Sequence, residues 1–179
     1  FTRTQEAETL LKFIERQNIP FISTMHAKGW LPEGHPNWVG VLGRARRTNI
    51  QRFINQADLI IAVGYDPIEI NYEEWVGDIP VIHIATEKAD VGPGVRTIFN
   101  KGCDQDAAIR AIADIPTITN AWSLEAWASH RDEFESALRP ESHKLSAHHV
   151  LDALRKMLPA DGVLVYDVGA HTHQIASQW

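Results

Sequence analysis

The sequence predicts an α/β fold of the doubly wound kind, in which helices cover both faces of a parallel sheet. The run Leu59–Val63 is apolar at every position, which is typical of a parallel strand that meets no water on either face. Helical spacing alternates with short apolar runs over the first 116 residues, as right-handed βαβ crossovers require. The turn Gly64–Pro67 follows that strand directly, at the carboxyl end where such sheets bind ligands.

Composition indicates a globular protein and excludes two classes of partner. Hydrophobic residues make up 44% of the 179 residues, enough for a packed core. Seventeen Lys and Arg against twenty-three Asp and Glu give a net charge of −6, with no basic stripe for nucleic acid. Apolar runs stay well below the roughly 20 residues that span a bilayer. We therefore expect no nucleic-acid partner and no membrane partner.

The single cysteine and the first residue bear on the setting of the chain. Cys103 has no second cysteine to pair with, which favours a reducing, cytoplasmic location. Phe1 stands directly before a helical pattern, with no signal-type segment ahead of it. We expect the chain to be part of a longer protein.

The first helix and the first strand lead into a long loop. Thr2 and Gln5 offer a weak capping box, and Asn18 ends the helix. The helix is predicted by apolar residues at helical spacing: Ala7, Leu10, Leu11 and Ile14. An apolar run at 20–24 predicts a strand. Four glycines and two prolines then predict a loop over 25–47, and a loop of that length is usually functional.

The alternation of helices and strands continues through the middle of the chain. A helix beginning near Thr48 precedes the apolar strand described above. A short helix is predicted over 68–76, and apolar runs predict strands at 80–84 and 97–99. A single apolar stripe predicts a helix over 107–115.

The composition changes after Pro116. Residues 117–145 suit a connecting helix whose stripe, Trp127, Phe134 and Leu138, is assigned to core or interface. Ser146 is predicted to cap a helix with an apolar stripe: Ala147, Val150, Leu151, Leu154, Met157 and Leu158. The run Val163–Tyr166 predicts a last strand. We expect a Rossmann-like, three-layer domain at 1–116, a connecting segment at 117–145 and the start of a second, truncated domain at 146–179.

Several stretches, taken in order, carry a resemblance to a known family. They are Ile19–Thr24, Lys28-Gly29, His35-Pro36, Gly40–Gly43 and Ala57–Gly64. In this order they resemble the central domain of thiamine-diphosphate enzymes of the acetolactate synthase type. The tail Asp161–His171 is similar to the opening of that family's cofactor-binding domain, and Tyr65–Glu69 is closer to the catabolic members than to the flavin-containing ones.

The resemblance implies a role inside a larger enzyme. The full-length parent would decarboxylate a 2-oxo acid such as pyruvate and join the product to a second carbonyl compound, using thiamine diphosphate and Mg²⁺. Such enzymes are homo-oligomers, dimers or tetramers. The family's activating glutamate and metal-binding Gly-Asp-Gly motif do not occur in this sequence. We therefore expect no catalytic residue, no metal ligand and no turnover from the chain alone.

The resemblance also implies a cofactor-binding stretch. Gly169, Ala170 and His171 match residues that lie beside the cofactor diphosphate in the family. The family's usual Gln is replaced by Ala170, which removes a side chain but leaves a backbone amide. His171 follows Gly169 at the predicted strand end, where an imidazole can meet a diphosphate oxygen.

A second candidate site is Gly40–Arg47, where two glycines precede three arginines and a helix. Amides and positive partial charge at a helix amino terminus bind anions. The competing interpretation is a solvated arginine-rich loop at a domain or subunit contact, since the spacing matches neither a Walker loop nor a dinucleotide fingerprint. The alternative function is a nucleotide- or FAD-binding module built on Gly40–Arg47 and Gly64–Pro67, although Asp66 would repel phosphate. A third possibility is a spacer whose site is unused.

Other polar residues are assigned structural roles. His83 lies in an apolar strand and is interpreted as a core histidine, Asp167 as a loop cap and Cys103 as a structural thiol. The neighbours His148 and His149 should point in different directions on a helix, so we expect no metal site there.

One structural hypothesis follows from the family analogy. In the strand order 3-2-1-4-5-6 the central strand would precede the first helix, and this chain has no such strand. The sheet would then be split at its middle. Either Val163–Tyr166 or a second copy of the chain could fill the gap.

Overall fold

The computed structural model describes residues 4–68 and 70–179, so the predicted cap at Thr2 and the resemblance at Glu69 lie outside the described residues. The helices in this part are α1 Thr4–Gln17, α2 Arg47–Ile54, α3 Gln105–Ala113, α4 Leu124–Leu138, α5 Ala147–Met157 and α6 Ala170–Gln178. The strands are β1 Phe21–Thr24, β2 Trp38–Leu42, β3 Ile60–Val63, β4 Val81–Ala85 and β5 Thr97–Gly102. Short 3₁₀ helices lie at Met25–Ala27 and Tyr72–Glu74.

All strand pairs in the described residues are parallel, and helices surround the sheets, so the predicted α/β class is confirmed. The chain divides into two compact units. The first unit comprises Phe1–Pro20 and Gln51–Trp122, and the second comprises Phe21–Ile50 and Ser123–Trp179. Each has its own sheet.

The first unit is built on the sheet β3-β4-β5. The central strand, β4, is the best covered, with Val81 and Ile84 buried. In β3 only Ala62 is buried, and Leu59 before it is 38% exposed. The strand is therefore confirmed, but the prediction that both of its faces are buried was only partly correct. Strand β3 is an edge strand, hydrogen-bonded along only one side within the described residues.

Helix α1 of the first unit ends where the sequence predicts. Asn18 adopts a left-handed φ of 49°, and its N–H donates to the Glu15 carbonyl. The Ile19 N–H donates to the Ile14 carbonyl, which completes a Schellman-type end. The buried face of α1 contains Leu10, Phe13 and Ile14.

The second unit is built on the parallel pair β1-β2. Every residue of β2 is buried, and the Trp38 indole N–H donates to the Ser23 hydroxyl at 2.9 Å. Gly40 lies in β2 with a φ of +135°. A Cβ at Gly40 would lie 2.7 Å from Ile50 Cδ1 and about 3.2 Å from the Phe134 ring, so only glycine fits there.

Two elements in the middle of the chain differ from prediction. Strand β2 lies inside the predicted loop at 25–47, because complete burial outweighs the turn propensity of Gly40 and its neighbours. The short helix predicted over 68–76 is reduced to the 3₁₀ turn Tyr72–Glu74. The other predicted strands, at 20–24, 80–84 and 97–99, are confirmed within one to three residues at their ends.

The predicted last strand is absent. Val163–Tyr166 has no strand partner among residues 4–68 and 70–179, and the side chains of Val163 and Val165 are 83% and 86% exposed. An apolar, β-branched run forms a strand only where a neighbouring edge accepts its hydrogen bonds. The hypothesis that this segment fills a gap in the sheet is therefore wrong.

The apolar stripe predicted for α5 is only partly buried. Leu151 lies in the core, whereas Val150 is 43% and Met157 81% exposed. The face that packs instead includes His148, which is buried. By contrast, the stripe of α4 is buried as predicted: Trp127, Phe134 and Leu138.

Candidate functional site

The start of α6 carries the residues predicted to bind cofactor. The Gly169 N–H donates to Thr172 Oγ1 at 3.1 Å, and the Thr172 N–H donates to the Gly169 carbonyl at 3.0 Å. The Thr172 hydroxyl also donates to the Asp167 carbonyl at 3.3 Å. Thr172 therefore fixes the turn that leads into the helix.

The first amides of an α-helix have no partner inside that helix, so Ala170 and His171 present N–H groups at the positive end of the α6 dipole. The His171 ring folds back over Gly169. A Cβ on Gly169 would lie 2.6 Å from His171 Cε1, and glycine leaves room for the imidazole at this helix end.

A cavity of about 540 Å³ lies between α6 and the loop that follows β2, both in the second unit. Its lining consists of Arg44, Ala45, Arg46, Ala170, His173 and Gln174. This volume is within the range of small-molecule sites. The structure thus joins Arg44–Arg46 of the Gly40–Arg47 stretch with Ala170 of the predicted cofactor-binding stretch. Gly169 and His171 are not among the described residues that line the cavity.

The Gly40–Arg47 stretch borders the cavity through Arg44–Arg46. Helix α2 begins at Arg47, close to the predicted Thr48, but it is the α6 end that borders the cavity together with the loop arginines. Arg46 has a left-handed φ of 50°, and its carbonyl accepts the Asn49 N–H at the start of α2.

Sequence reasoning missed two residues of the cavity, His173 and Gln174. They lie three and four positions after Ala170, so they share its face of the helix, a spacing that could have identified them. His173 Nδ1 is buried and has no hydrogen-bond partner within the described part of the chain. The Gln174 amide donates to the Leu138 carbonyl at 3.0 Å, which holds α6 against the end of α4.

The Gly64–Pro67 turn belongs to the first unit. Gly64 has a left-handed φ of 62°, and a Cβ there would lie 2.8 Å from Gln105 Nε2. The Asp66 carboxylate accepts the Ile68 N–H at 3.0 Å in a local turn. Gly64–Pro67 and Gly40–Arg47, the loops of the proposed nucleotide or FAD module, thus fall in different compact units.

His83 is a core histidine, as predicted. It is 1% exposed, and its Nδ1 lies 2.8 Å from the hydroxyl of the fully buried Tyr72. Burial lowers the pKa of His83 and raises that of Tyr72. The Tyr72 hydroxyl and His83 Nδ1 are thus hydrogen-bonding partners in the core of the first unit.

The predicted directions of His148 and His149 are wrong. Their ring centroids are 4.0 Å apart, and each has Nδ1 within 3.1 Å of the Ser146 hydroxyl. Both residues belong to the first turn of α5, where side chains can turn back toward the cap residue.

Asp152 holds α5 to its neighbours. Arg139 Nε and Gln178 Nε2 both donate to its carboxylate, at 3.2 and 3.0 Å. Burial acts to raise the pKa of Asp152, but the Gln178 hydrogen bond and the Arg139 charge outweigh it and lower the pKa.

The remaining candidates have structural contacts. The Cys103 thiol donates to the Ala85 carbonyl at 3.4 Å, and the Asp167 carboxylate accepts the Val168 N–H at 2.7 Å. Over residues 4–68 and 70–179 there is no group of three or more His, Cys, Asp or Glu suited to hold a metal ion. In the same residues no helix is both long enough and apolar enough to cross a bilayer.

Comparison with known proteins identifies the family of this chain. Residues 2–112 match the family model described as the central domain of thiamine pyrophosphate enzymes. The chain is 25% identical over 169 residues to a putative thiamine pyrophosphate-containing protein, YdaP, of Bacillus subtilis. The aligned region covers 91% of this chain and 29% of that protein.

Two further relatives are acetolactate synthases. The large subunit of the Lactococcus lactis enzyme is 23% identical over 173 residues, covering 93% of this chain and 30% of the relative. The Bacillus subtilis acetolactate synthase is 25% identical over 188 residues, covering 94% and 31%. The chain therefore spans about 30% of the length of the curated relatives that it matches.

Proposed function

Because this chain belongs to the thiamine pyrophosphate enzymes, whose central-domain model matches residues 2–112, we propose that it serves an acetolactate synthase-like enzyme. The parent would be a thiamine-diphosphate-dependent 2-oxo acid decarboxylase and carboligase. The names of the relatives support this assignment. The central domain would have a structural role, and Tyr65–Glu69 would place the parent nearer the catabolic type.

Residues Gly169, Ala170 and His171 would bind the diphosphate of the cofactor. The observation that carries this proposal is the amino terminus of α6, where Ala170 lines the cavity and the His171 ring lies over Gly169. When bound, thiamine diphosphate supplies the electron sink for decarboxylation. The part of this chain is to hold and orient the diphosphate.

Binding of thiamine diphosphate and of thiamine to the 179-residue chain, followed by NMR amide shifts, tests this assignment. We expect the diphosphate form to shift Ala170 and His171 and to bind at least about tenfold more tightly than thiamine, since only the diphosphate has charged acceptors. His171→Ala should weaken binding of the diphosphate form, whereas His143→Ala, at an exposed position, should not.

Equal binding of thiamine and thiamine diphosphate, or shifts remote from α6, would contradict the assignment. The absence of any ligand-induced shift would favour the spacer interpretation. A nucleotide or FAD module is not supported, because the relatives carry thiamine pyrophosphate or acetolactate synthase names.

We further propose that turnover needs parts of the parent beyond these residues. Mg²⁺ would be held elsewhere in that parent, which would be a cytoplasmic homo-oligomer acting on a small 2-oxo acid such as pyruvate. Residues 146–179 would begin the cofactor-binding domain, and 117–145 would connect it to the central domain. Incubating the chain with pyruvate, thiamine diphosphate and Mg²⁺ should yield no carboligation product, and a product would refute this part of the proposal.

A further inference from the structure

The cavity in the second unit has two walls of different chemistry. One wall is the loop after β2, which contributes Arg44, Ala45 and Arg46. The other is the first turn and a half of α6, which contributes Ala170, His173 and Gln174. The cofactor-binding stretch that the resemblance implies contributes only to the α6 wall, so the role of the arginine wall needs its own explanation.

Two of the residues that line the cavity are basic. Arg44 and Arg46 bring two positive charges to a chain whose net charge is −6. The helix end adds a positive partial charge of roughly half a unit.

The hydrogen-bonding groups of the cavity are mainly donors. Guanidinium groups have no acceptor, and the leading amides of α6 point out of the helix. His173 adds a buried Nδ1 that has no partner among residues 4–68 and 70–179. An arrangement of this kind suits a ligand that has several acceptor oxygens and a negative charge.

We propose that Arg44 and Arg46 bind the phosphate oxygens of a diphosphate ligand whose other side meets the amino terminus of α6. The two guanidinium groups would neutralise the negative charge of the ligand's phosphates that the amino terminus of α6 alone leaves uncompensated. The identity of the ligand as thiamine diphosphate rests on the proposed function, whereas the role of the two arginines concerns any diphosphate.

Titration of the 179-residue chain with inorganic pyrophosphate tests the arginine wall. The wild type should show amide shifts at Arg44–Arg46 and at Ala170. The double variant Arg44→Gln with Arg46→Gln should bind at least about tenfold more weakly, because two charge-assisted contacts are lost. Its affinity should also depend less steeply on salt concentration.

The matched control is the double variant Arg96→Gln with Lys144→Gln. It removes the same number of positive charges from exposed positions that do not line the cavity. Its affinity for pyrophosphate should stay within about twofold of the wild type. Unchanged melting temperatures would show that all variants are folded, as expected for exposed side chains.

Failure of this inference is distinguishable from failure of the proposed function. If the arginine variant binds pyrophosphate as tightly as the control, or if the wild type binds none, the arginine wall has no such role. Loss of thiamine diphosphate binding in His171→Ala but not in the arginine variant would overturn the inference and leave the proposed function intact. Arginine-dependent binding of pyrophosphate without preference for thiamine diphosphate would support the inference and count against the cofactor assignment.

Discussion

Gly40 shows how much a single residue can determine in this protein. It combines a φ of +135° with a Cβ direction that ends 2.7 Å from Ile50 Cδ1. We expect Gly40→Ala to lower the free energy of unfolding by about 1–3 kcal/mol, because backbone strain and overpacking add. Gly43→Ala is the matched control, since no atom of the described part of the chain lies within 4 Å of its Cβ position. Urea unfolding of that variant should show a change below about 0.5 kcal/mol.

His83 is expected to make stability depend on pH. Burial lowers its pKa in the folded state, so the unfolded chain takes up the proton first as pH falls. Stability from this group is complete above the unfolded pKa of about 6.5 and is lost as pH drops below it. His83→Asn should flatten the dependence between pH 7.5 and 5.5 in urea melts, and an equally steep dependence in the variant would exclude His83 as the cause.

At the scale of elements, one buried amide ties α1 to the segment after α3. Gln17 is 2% exposed, and its side chain donates to the carbonyls of Ile115 and Pro116 and accepts the Ile118 N–H. These contacts link residues about 100 positions apart inside the first unit. They explain why a polar residue ends the buried face of an otherwise apolar helix.

We expect Gln17→Ala to lower the free energy of unfolding by about 1–2 kcal/mol, because three hydrogen bonds of a buried side chain are lost. The loss is moderate because water can hydrate the backbone groups of the exposed segment 115–118 that bonded to Gln17. Gln5→Ala, on the exposed side of the same helix, should have little effect. Thermal unfolding followed by circular dichroism measures both. Equal shifts of the two variants would show that helix propensity, not the Gln17 contacts, is responsible.

The second unit shows that apolar pattern alone does not decide which segments pack. The stripe of α5 includes more apolar positions than that of α4, yet the α4 stripe is buried and the α5 stripe is only partly buried. Helix α5 is held by polar contacts instead, through Asp152 with Arg139 and Gln178. Periodicity predicts the presence of such helices, and their packing depends on which neighbours reach them.

At the scale of the whole molecule, exposed apolar residues favour association between copies of the chain, and the net negative charge opposes it. The sequence pI is about 5.8, and the most exposed large apolar side chains include Val163, Val165 and Val168. Near pH 5.8 the repulsion between copies vanishes, so association should increase. Light scattering should therefore rise between pH 7.5 and 5.8, and Val163→Ser with Val165→Ser should reduce the rise. A rise of the same size in this variant would show that another surface mediates the association.

The sequence by itself determined the α/β class, most element positions and the family. These features depend on local periodicity, capping and motif order, as at Asn18 and Leu59–Val63. Each such signal is complete within one short stretch of the chain. Only the tertiary structure decided which apolar runs pair or pack, because a strand needs a partner edge and a helix face needs a neighbour. Only the tertiary structure shows that Trp38–Leu42 forms a strand and that Val163–Tyr166 is exposed. It also placed Arg44 and Arg46 opposite Ala170, a juxtaposition of residues more than 120 positions apart that no local pattern contains.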